Sequence, residues 1–271
     1  MVKPHSKVPI VFSHANGFPA GVYRSLFERW RAAGHAVHAI ERIGHDPAFP
    51  VTSNWPQLCN ELIAFIEREA AVPLWSVGHS LGGMLSLMAA SHRPDLVRGV
   101  VLLDSPVIAG WRARGLQLAK ATGLMPRVTP SRIARRRRES WPTRAAIRAH
   151  FGTKRVFARW DPEVFEDYVE CGFVRRSGQW RLAFDRAIEA RIYETLPHHL
   201  GRLLAGRPLQ CPLAFIGGND SVEARQAGMA RTASLAGERL LHLPGSHLFP
   251  MEHPRPCADA VLAILASMTR R

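Results

Sequence analysis

The sequence predicts an α/β protein: a mostly parallel sheet flanked by helices and interrupted by a long helical insertion. Three observations carry that expectation. Short runs rich in Val, Ile, Leu and Phe alternate with amphipathic helical patterns from Ile10 to Pro106. The alternation stops after Pro106, and it returns with Leu213-Ala-Phe-Ile216. Strands that are apolar along their whole length, rather than at every second residue, are buried on both faces, as in a parallel sheet covered by helices.

The elements follow in order. Residues 10–13 form a first strand that ends in the turn-rich segment His14-Ala-Asn-Gly-Phe-Pro-Ala-Gly21. A helix is expected over 23–33, with Leu26, Phe27 and Trp30 on one face and Gly34 as its stop. Residues 37–40 form a second strand. Leu58, Leu62, Phe65 and Ile66 place an amphipathic helix over 54–69. A third strand at 74–77 leads into Gly78-His79-Ser80-Leu81-Gly82-Gly83 and an apolar helix to Ala90, and a fourth strand covers 100–103. Residues 107–206 show helical stretches, tryptophans and arginines but no convincing β run. Beyond them come a strand at 213–216, a helix over 222–236, a strand at 240–243 and a last helix over 256–268. The expected organisation is a core of residues 1–106 and 207–271 carrying a helical cap of residues 107–206.

The bulk numbers exclude several classes. An apolar fraction of 46% in 271 residues suits a globular chain with a sizeable core. No apolar run approaches the roughly 20 residues that a bilayer span requires. Neither an apolar leader nor a small-residue cleavage site opens the chain, so the expected location is the cytoplasm. Cys59, Cys171, Cys211 and Cys257 are scattered without metal spacing, HExxH is absent, and His198-His199 has no supporting ligand pattern. No metal or cofactor is expected.

The pentapeptide Gly78-His79-Ser80-Leu81-Gly82 fits G-x-S-x-G between a strand and a helix. A nucleophile on so tight a turn takes strained backbone angles, and side chains two residues to either side would collide, hence glycine at both places. The turn lifts the serine hydroxyl above the strand ends and aims the first amides of the helix at a developing oxyanion. A serine hydroxyl needs a base titrating near neutrality. His247, in the loop Leu243-Pro-Gly-Ser-His-Leu-Phe249 after the last strand, is preferred over His79, His242 and His253. For the acid that orients the imidazole, Asp220 in Phe215-Ile-Gly-Gly-Asn-Asp-Ser221 is preferred over Asp104, although Asp220 also fits a helix cap.

The order of these features resembles the α/β-hydrolase superfamily over nearly the whole chain. Members with a helical lid place an HG-x type loop, a nucleophile, an acid and a histidine after successive strands. His14-Ala15-Asn16-Gly17, Ser80, Asp220 and His247 follow that order here. The resemblance implies catalytic Ser80, His247 and Asp220, with oxyanion donors at the amides of Leu81 and Asn16. His14 would brace its loop, while Phe18 and His79 would contact substrate. Ala15 stands where the pattern has glycine, leaving the second donor open between Ala15 and Asn16. Two strands usually precede the HG-x loop, yet nine residues precede Ile10, so a sheet of six or seven strands is expected. The implied activity is cleavage of a carboxylic ester or related acyl bond in a small molecule. Thioester, lactone and carbon–carbon hydrolysis remain open. Oligomeric state is not legible.

The net charge of +14 is concentrated: residues 107–160 hold fourteen basic side chains and one acid, Glu139. The run Arg135-Arg-Arg-Arg138 reads as a solvated helix face, or as a means of attracting anionic substrates or acidic surfaces. No nucleic-acid motif accompanies it. Trp111, Trp141, Trp160 and Trp180 either line a pocket or fasten the cap to the core. A second class of function is a binding protein that acts through this basic lid without chemistry at Ser80.

Overall fold

The computed structural model describes residues 7–69 and 73–269. Its centre is a six-stranded sheet built from β1 (Lys7–Ser13), β2 (His35–Ala39), β3 (Leu74–His79), β4 (Val97–Leu103), β8 (Leu213–Gly218) and β9 (Leu240–Leu243). The spatial order is β2-β1-β3-β4-β8-β9, and every neighbouring pair is parallel. Six is the lower of the two expected strand counts.

Side chains alternate between two apolar faces, as the pleat demands. Ile10, Phe12, Trp75, Val77, Val101 and Leu103 point one way, against Leu26, Phe27 and Trp30 of α1 (Arg24–Ala32) and Val261 and Leu265 of α14 (Pro254–Thr269). Val11, Leu74, Val100, Leu102 and Phe215 point the other way. There they meet Leu58 and Leu62 of α2 (Pro56–Glu69) and Leu85 and Met88 of α3 (Leu81–His92). Full burial of each large side chain contributes about 1.5–3 kcal/mol, which explains why continuous apolar runs specify this layer.

Between β4 and β8 the chain builds α4 (Gly110–Ala121), α5 (Met125–Val128), α6 (Ser131–Arg136), β5 (Ser140–Trp141), α7 (Arg144–Gly152), α8 (Pro162–Cys171), β6 (Phe173–Arg176), β7 (Gln179–Leu182), α9 (Arg186–Glu194) and α10 (Leu200–Gly206). The expected all-helical insertion is corrected here: β5, β7 and β6 form a small antiparallel sheet. Its strands are two to four residues long, and Arg175, Arg176 and Arg181 break the apolar pattern of β6 and β7, so no alternation marks them. Trp141, Phe151, Trp160, Tyr168 and Phe173 continue the apolar cluster on the α1–α14 side of the sheet. Trp141 and Trp160 therefore fasten the insertion, whereas Trp111 stands exposed. After β8 the expected single helix is split into α11 (Val222–Ala227) and α12 (Ala230–Ala236) at Gly228, whose φ is +79°. The chain then enters β9, α13 (Phe249–Glu252) and α14. No described helix is long and apolar enough to cross a membrane.

Candidate active site

Ser80 sits between β3 and α3 with φ 53° and ψ −113°, a conformation that ordinarily costs a non-glycine residue about 1–3 kcal/mol. The glycines around it are required by contact. A Cβ on Gly78 would lie 2.3 Å from the Gly82 carbonyl, and one on Gly82 would lie 1.9 Å from the carbonyl oxygen of Ser13. The elbow thus presses against the end of β1, where the His14 loop begins. Ser105 adds a clamp by donating its hydroxyl to the Ser80 carbonyl at 2.7 Å.

Three side chains form a continuous line at the strand ends. His247 Nε2 lies 3.0 Å from Ser80 Oγ, and His247 Nδ1 lies 2.6 Å from Asp104 Oδ2. Asp104 is completely buried, yet each of its oxygens is served. Oδ1 accepts the Gly218 N–H at 3.0 Å, and Oδ2 also accepts the Ser221 hydroxyl at 2.5 Å. Burial alone would raise the Asp104 pKa; the bond and charge of His247, with Ser221 and Gly218, outweigh it and hold the group below the usual carboxylate value. Burial works against a charged His247 as well, but Asp104 prevails, with Glu223 assisting, and raises the imidazole above its ordinary value.

The expectation for Asp220 is corrected. Its side chain is 66% exposed and turns outward to Arg159 Nη2, 3.4 Å away. Its backbone meets the histidine loop instead, donating to the Gly245 carbonyl at 2.9 Å. Asp104 follows β4 directly, and its own N–H continues the ladder to the Ile216 carbonyl at 2.8 Å. A carboxylate held there points along the sheet rim, whereas Asn219 and Asp220 lie beyond the rim of β8.

His79 is also corrected. Rather than facing substrate it is fully buried, and it links three loops. The Tyr23 hydroxyl accepts the Ala15 N–H at 3.1 Å and lies 2.7 Å from His79 Nδ1; His79 Nε2 lies 2.9 Å from the His247 carbonyl. Because a carbonyl only accepts, the proton is on Nε2, and the Tyr23 hydroxyl donates to Nδ1. Burial, with the nearby His247, pushes His79 down to about 3, so it is neutral. Tyr23 has no motif around it and was not legible as part of the site.

His14 braces its loop. Nδ1 donates to the Ala15 carbonyl at 2.9 Å and Nε2 accepts the Ile43 N–H at 2.8 Å; burial lowers its pKa to about 4. With the Ala15 amide bound to Tyr23, Asn16 keeps its backbone N–H, while its side-chain amide donates to the Glu189 carbonyl at 3.0 Å. Leu81 opens α3, where a first-turn amide has no intrahelical acceptor. Phe18 packs on Trp160 and Tyr168 of the insertion, with ring centroids 5.5 and 6.0 Å apart.

The insertion grips this rim through charge. Arg137, expected on a solvated face, is largely buried: Nη1 meets Glu189 Oε2 at 2.5 Å and Nη2 donates to the Tyr168 hydroxyl at 2.9 Å. Arg159 Nε pairs with Glu252 Oε1 at 3.1 Å, and Glu252 accepts both the N–H and the hydroxyl of Ser246 beside His247. Of the rival histidines, His242 and His253 are exposed. Among the described residues no group of three or more His, Cys, Asp or Glu side chains is arranged to hold a metal ion.

A parallel sheet covered by helices, with a strained strand-to-helix elbow after its third strand, defines the α/β-hydrolase fold. The chain belongs to the alpha/beta hydrolase family, whose model matches residues 10–260. It is 26% identical over 132 residues to a monoglyceride lipase of Rattus norvegicus, covering 46% of this chain and 44% of that protein, so the match spans less than half the length of this curated relative. Among solved structures, E-2-(acetamidomethylene)succinate hydrolase superposes with a TM-score of 0.75 at 22% identity, over 96% of this chain and 91% of that one. The thioesterase domain from the curacin biosynthetic pathway gives 0.72 at 18% identity, over 95% and 92%. At such identities the structural likeness speaks for the fold.

Proposed function

We propose that the protein is a serine hydrolase that cleaves a carboxylic ester or closely related acyl bond of a small molecule through an acyl-enzyme on Ser80. The observation that carries this reading is the unbroken line Ser80 Oγ–His247 Nε2–His247 Nδ1–Asp104 Oδ2, at 3.0 and 2.6 Å. Ser80 Oγ attacks the carbonyl carbon as His247 Nε2 takes its proton. Asp104 keeps the opposite proton on Nδ1 and stabilises the imidazolium that forms. The amides of Leu81 and Asn16 receive the oxyanion, a choice supported by the bond that occupies the Ala15 amide. As the tetrahedral adduct collapses, His247 returns the proton to the departing alkoxide. Water, deprotonated by the same imidazole, then releases the acid. Phe18, with Trp160 and Tyr168 behind it, supplies an apolar wall beside the oxyanion loop. The partial likeness to a monoglyceride lipase agrees with ester cleavage.

A fluorophosphonate probe tests the reading. It is expected to modify wild-type protein at Ser80 and to spare Ser80→Ala. Wild type that stays unlabelled while a control serine esterase reacts would remove the acyl-enzyme and favour a binding protein on the same fold.

A further inference from the structure

From the outer face of the insertion we infer that α4 to α6 form a docking surface for an anionic phospholipid bilayer. Five of the seven large hydrophobic side chains that stand exposed among the described residues fall within residues 111–133: Trp111 (73%), Leu118 (64%), Leu124 (38%), Val128 (62%) and Ile133 (72%). Such residues are ordinary when scattered singly, but a concentration of them marks an interaction surface. The same stretch contains Arg112, Arg114, Lys120, Arg127 and Arg132 and no acidic residue. Among the described residues those four arginines have no carboxylate partner, in contrast to Arg135 and Arg137, which pair with Glu194 and Glu189.

The orientation of α4 follows from its own geometry. Trp111 and Leu118, seven residues apart, lie within about 20° of each other around the helix. Lys120 lies on the opposite side. Its Nζ is held against the body of the protein by Asn54 Oδ1 at 2.8 Å and Ser53 Oγ at 3.1 Å. With that side tethered, Trp111 and Leu118 face away from the protein, and no residue of α4 is buried. α5 packs beside α4 and α6 beside α5, which brings the exposed Val128 and Ile133 into the same part of the insertion.

A cavity of about 380 Å³ opens next to α4, lined by Arg114, Gln117, His198, Arg202 and Arg231 among others, and by no carboxylate. Three arginines line it, and among the described residues none of them has a carboxylate partner. A lipid phosphate satisfies them while the apolar tips enter the interface below the headgroups, the two-part attachment of an interfacial amphipathic element. A nucleic acid would use the arginines and leave the five apolar side chains without a role; an acidic protein with an apolar face would use both, and absence of pelleting with vesicles is the outcome that would favour it. Charge and apolarity together fit the lipid surface.

Co-sedimentation with vesicles tests this independently of any chemistry at Ser80. Wild type is expected to pellet with vesicles of phosphatidylcholine containing about one-third phosphatidylglycerol, to pellet far less with pure phosphatidylcholine, and to be released at about 1 M salt. Arg112→Gln with Arg114→Gln and Arg127→Gln is expected to weaken binding about 100-fold, close to fivefold per arginine. Trp111→Ser with Leu118→Ser and Ile133→Ser is expected to abolish pelleting with an unchanged melting midpoint, since these side chains are exposed. Absence of pelleting, equal pelleting on neutral vesicles, or a serine variant that binds as wild type does would each overturn the inference. The last result would mark a simple polyanion site.

Discussion

The ends of β4 and β8 are neighbours in the sheet, and each is followed by a carboxylate, yet the two side chains have opposite fates. Asp104 is wholly enclosed and accepts from Gly218, Ser221 and His247. Asp220, two residues beyond its strand, is exposed and meets only an arginine of the insertion. A charge can be buried where donors compensate its lost hydration, and the end of β4 supplies them from two neighbouring strand exits and a helix cap. The end of β8 contributes backbone instead. A Cβ on Gly218 would lie 2.2 Å from the Ser246 carbonyl, so this crossing must be bare for the histidine loop to pass. One strand end holds the carboxylate that meets His247, and its neighbour gives passage to the loop that carries this histidine.

Removing the proposed base should have the largest effect on this arrangement. His247→Ala is expected to lower kcat by about 10⁵–10⁶-fold in a p-nitrophenyl ester assay, with little change in KM. A loss below tenfold would detach the loop at β8 from the chemistry.

The buried link across the loops comes next. Tyr23→Phe leaves the Ala15 N–H and His79 Nδ1 unpaired, with an expected stability cost of about 1–3 kcal/mol in urea titrations. Because the Ala15 and His247 loops then lose their common strut, kcat is expected to fall about 10- to 100-fold while KM moves little. Equal kcat in the variant would reduce the link to a packing feature.

A smaller effect concerns pH. In the proposed mechanism turnover needs neutral His247, whose pKa Asp104 raises against burial. The acid limb of kcat/KM is therefore expected above the ordinary histidine value of 6.5, with activity lost as pH falls through it. Glu223→Gln is expected to shift that limb slightly downward, since Glu223 also favours the imidazolium.

Stability carries a separate signature. His14 and His79 are lowered to about 4 and about 3, so below 6.5 the unfolded chain takes up protons that the native state refuses. Their contribution is complete above 6.5 and declines as pH falls toward those values. Melting measured from pH 7 to 4 is expected to drop less steeply in His79→Gln than in wild type, and parallel slopes would contradict a neutral His79.

Much of this was legible in the sequence. Double burial marks the sheet, and the elbow is marked because its glycines answer to contacts that any side chain would violate. The histidine at 247 follows from its loop after the last strand. The carboxylate that meets His247 was not legible. Asp104 and Asp220 both follow apolar strands, and only the donors around each, drawn from Gly218, Ser221 and Arg159, separate them. His79 read as a substrate contact because adjacency to Ser80 says nothing about which way a buried ring turns. Its partners lie 56 and 168 residues away, beyond any local pattern. Arg137 was hidden in a run of four arginines that a solvated helix explains equally well, until Glu189 singles it out.

Comparing kcat of Asp104→Asn with that of Asp220→Asn on one ester at neutral pH decides which carboxylate serves His247. An amide at 104 keeps the shape but no longer fixes the productive tautomer of His247, so a loss of about 10⁴-fold is predicted. An amide at 220 breaks only an exposed ion pair, so kcat should stay within about threefold of wild type. The reverse pattern, with activity collapsing at 220 and surviving at 104, would contradict the account.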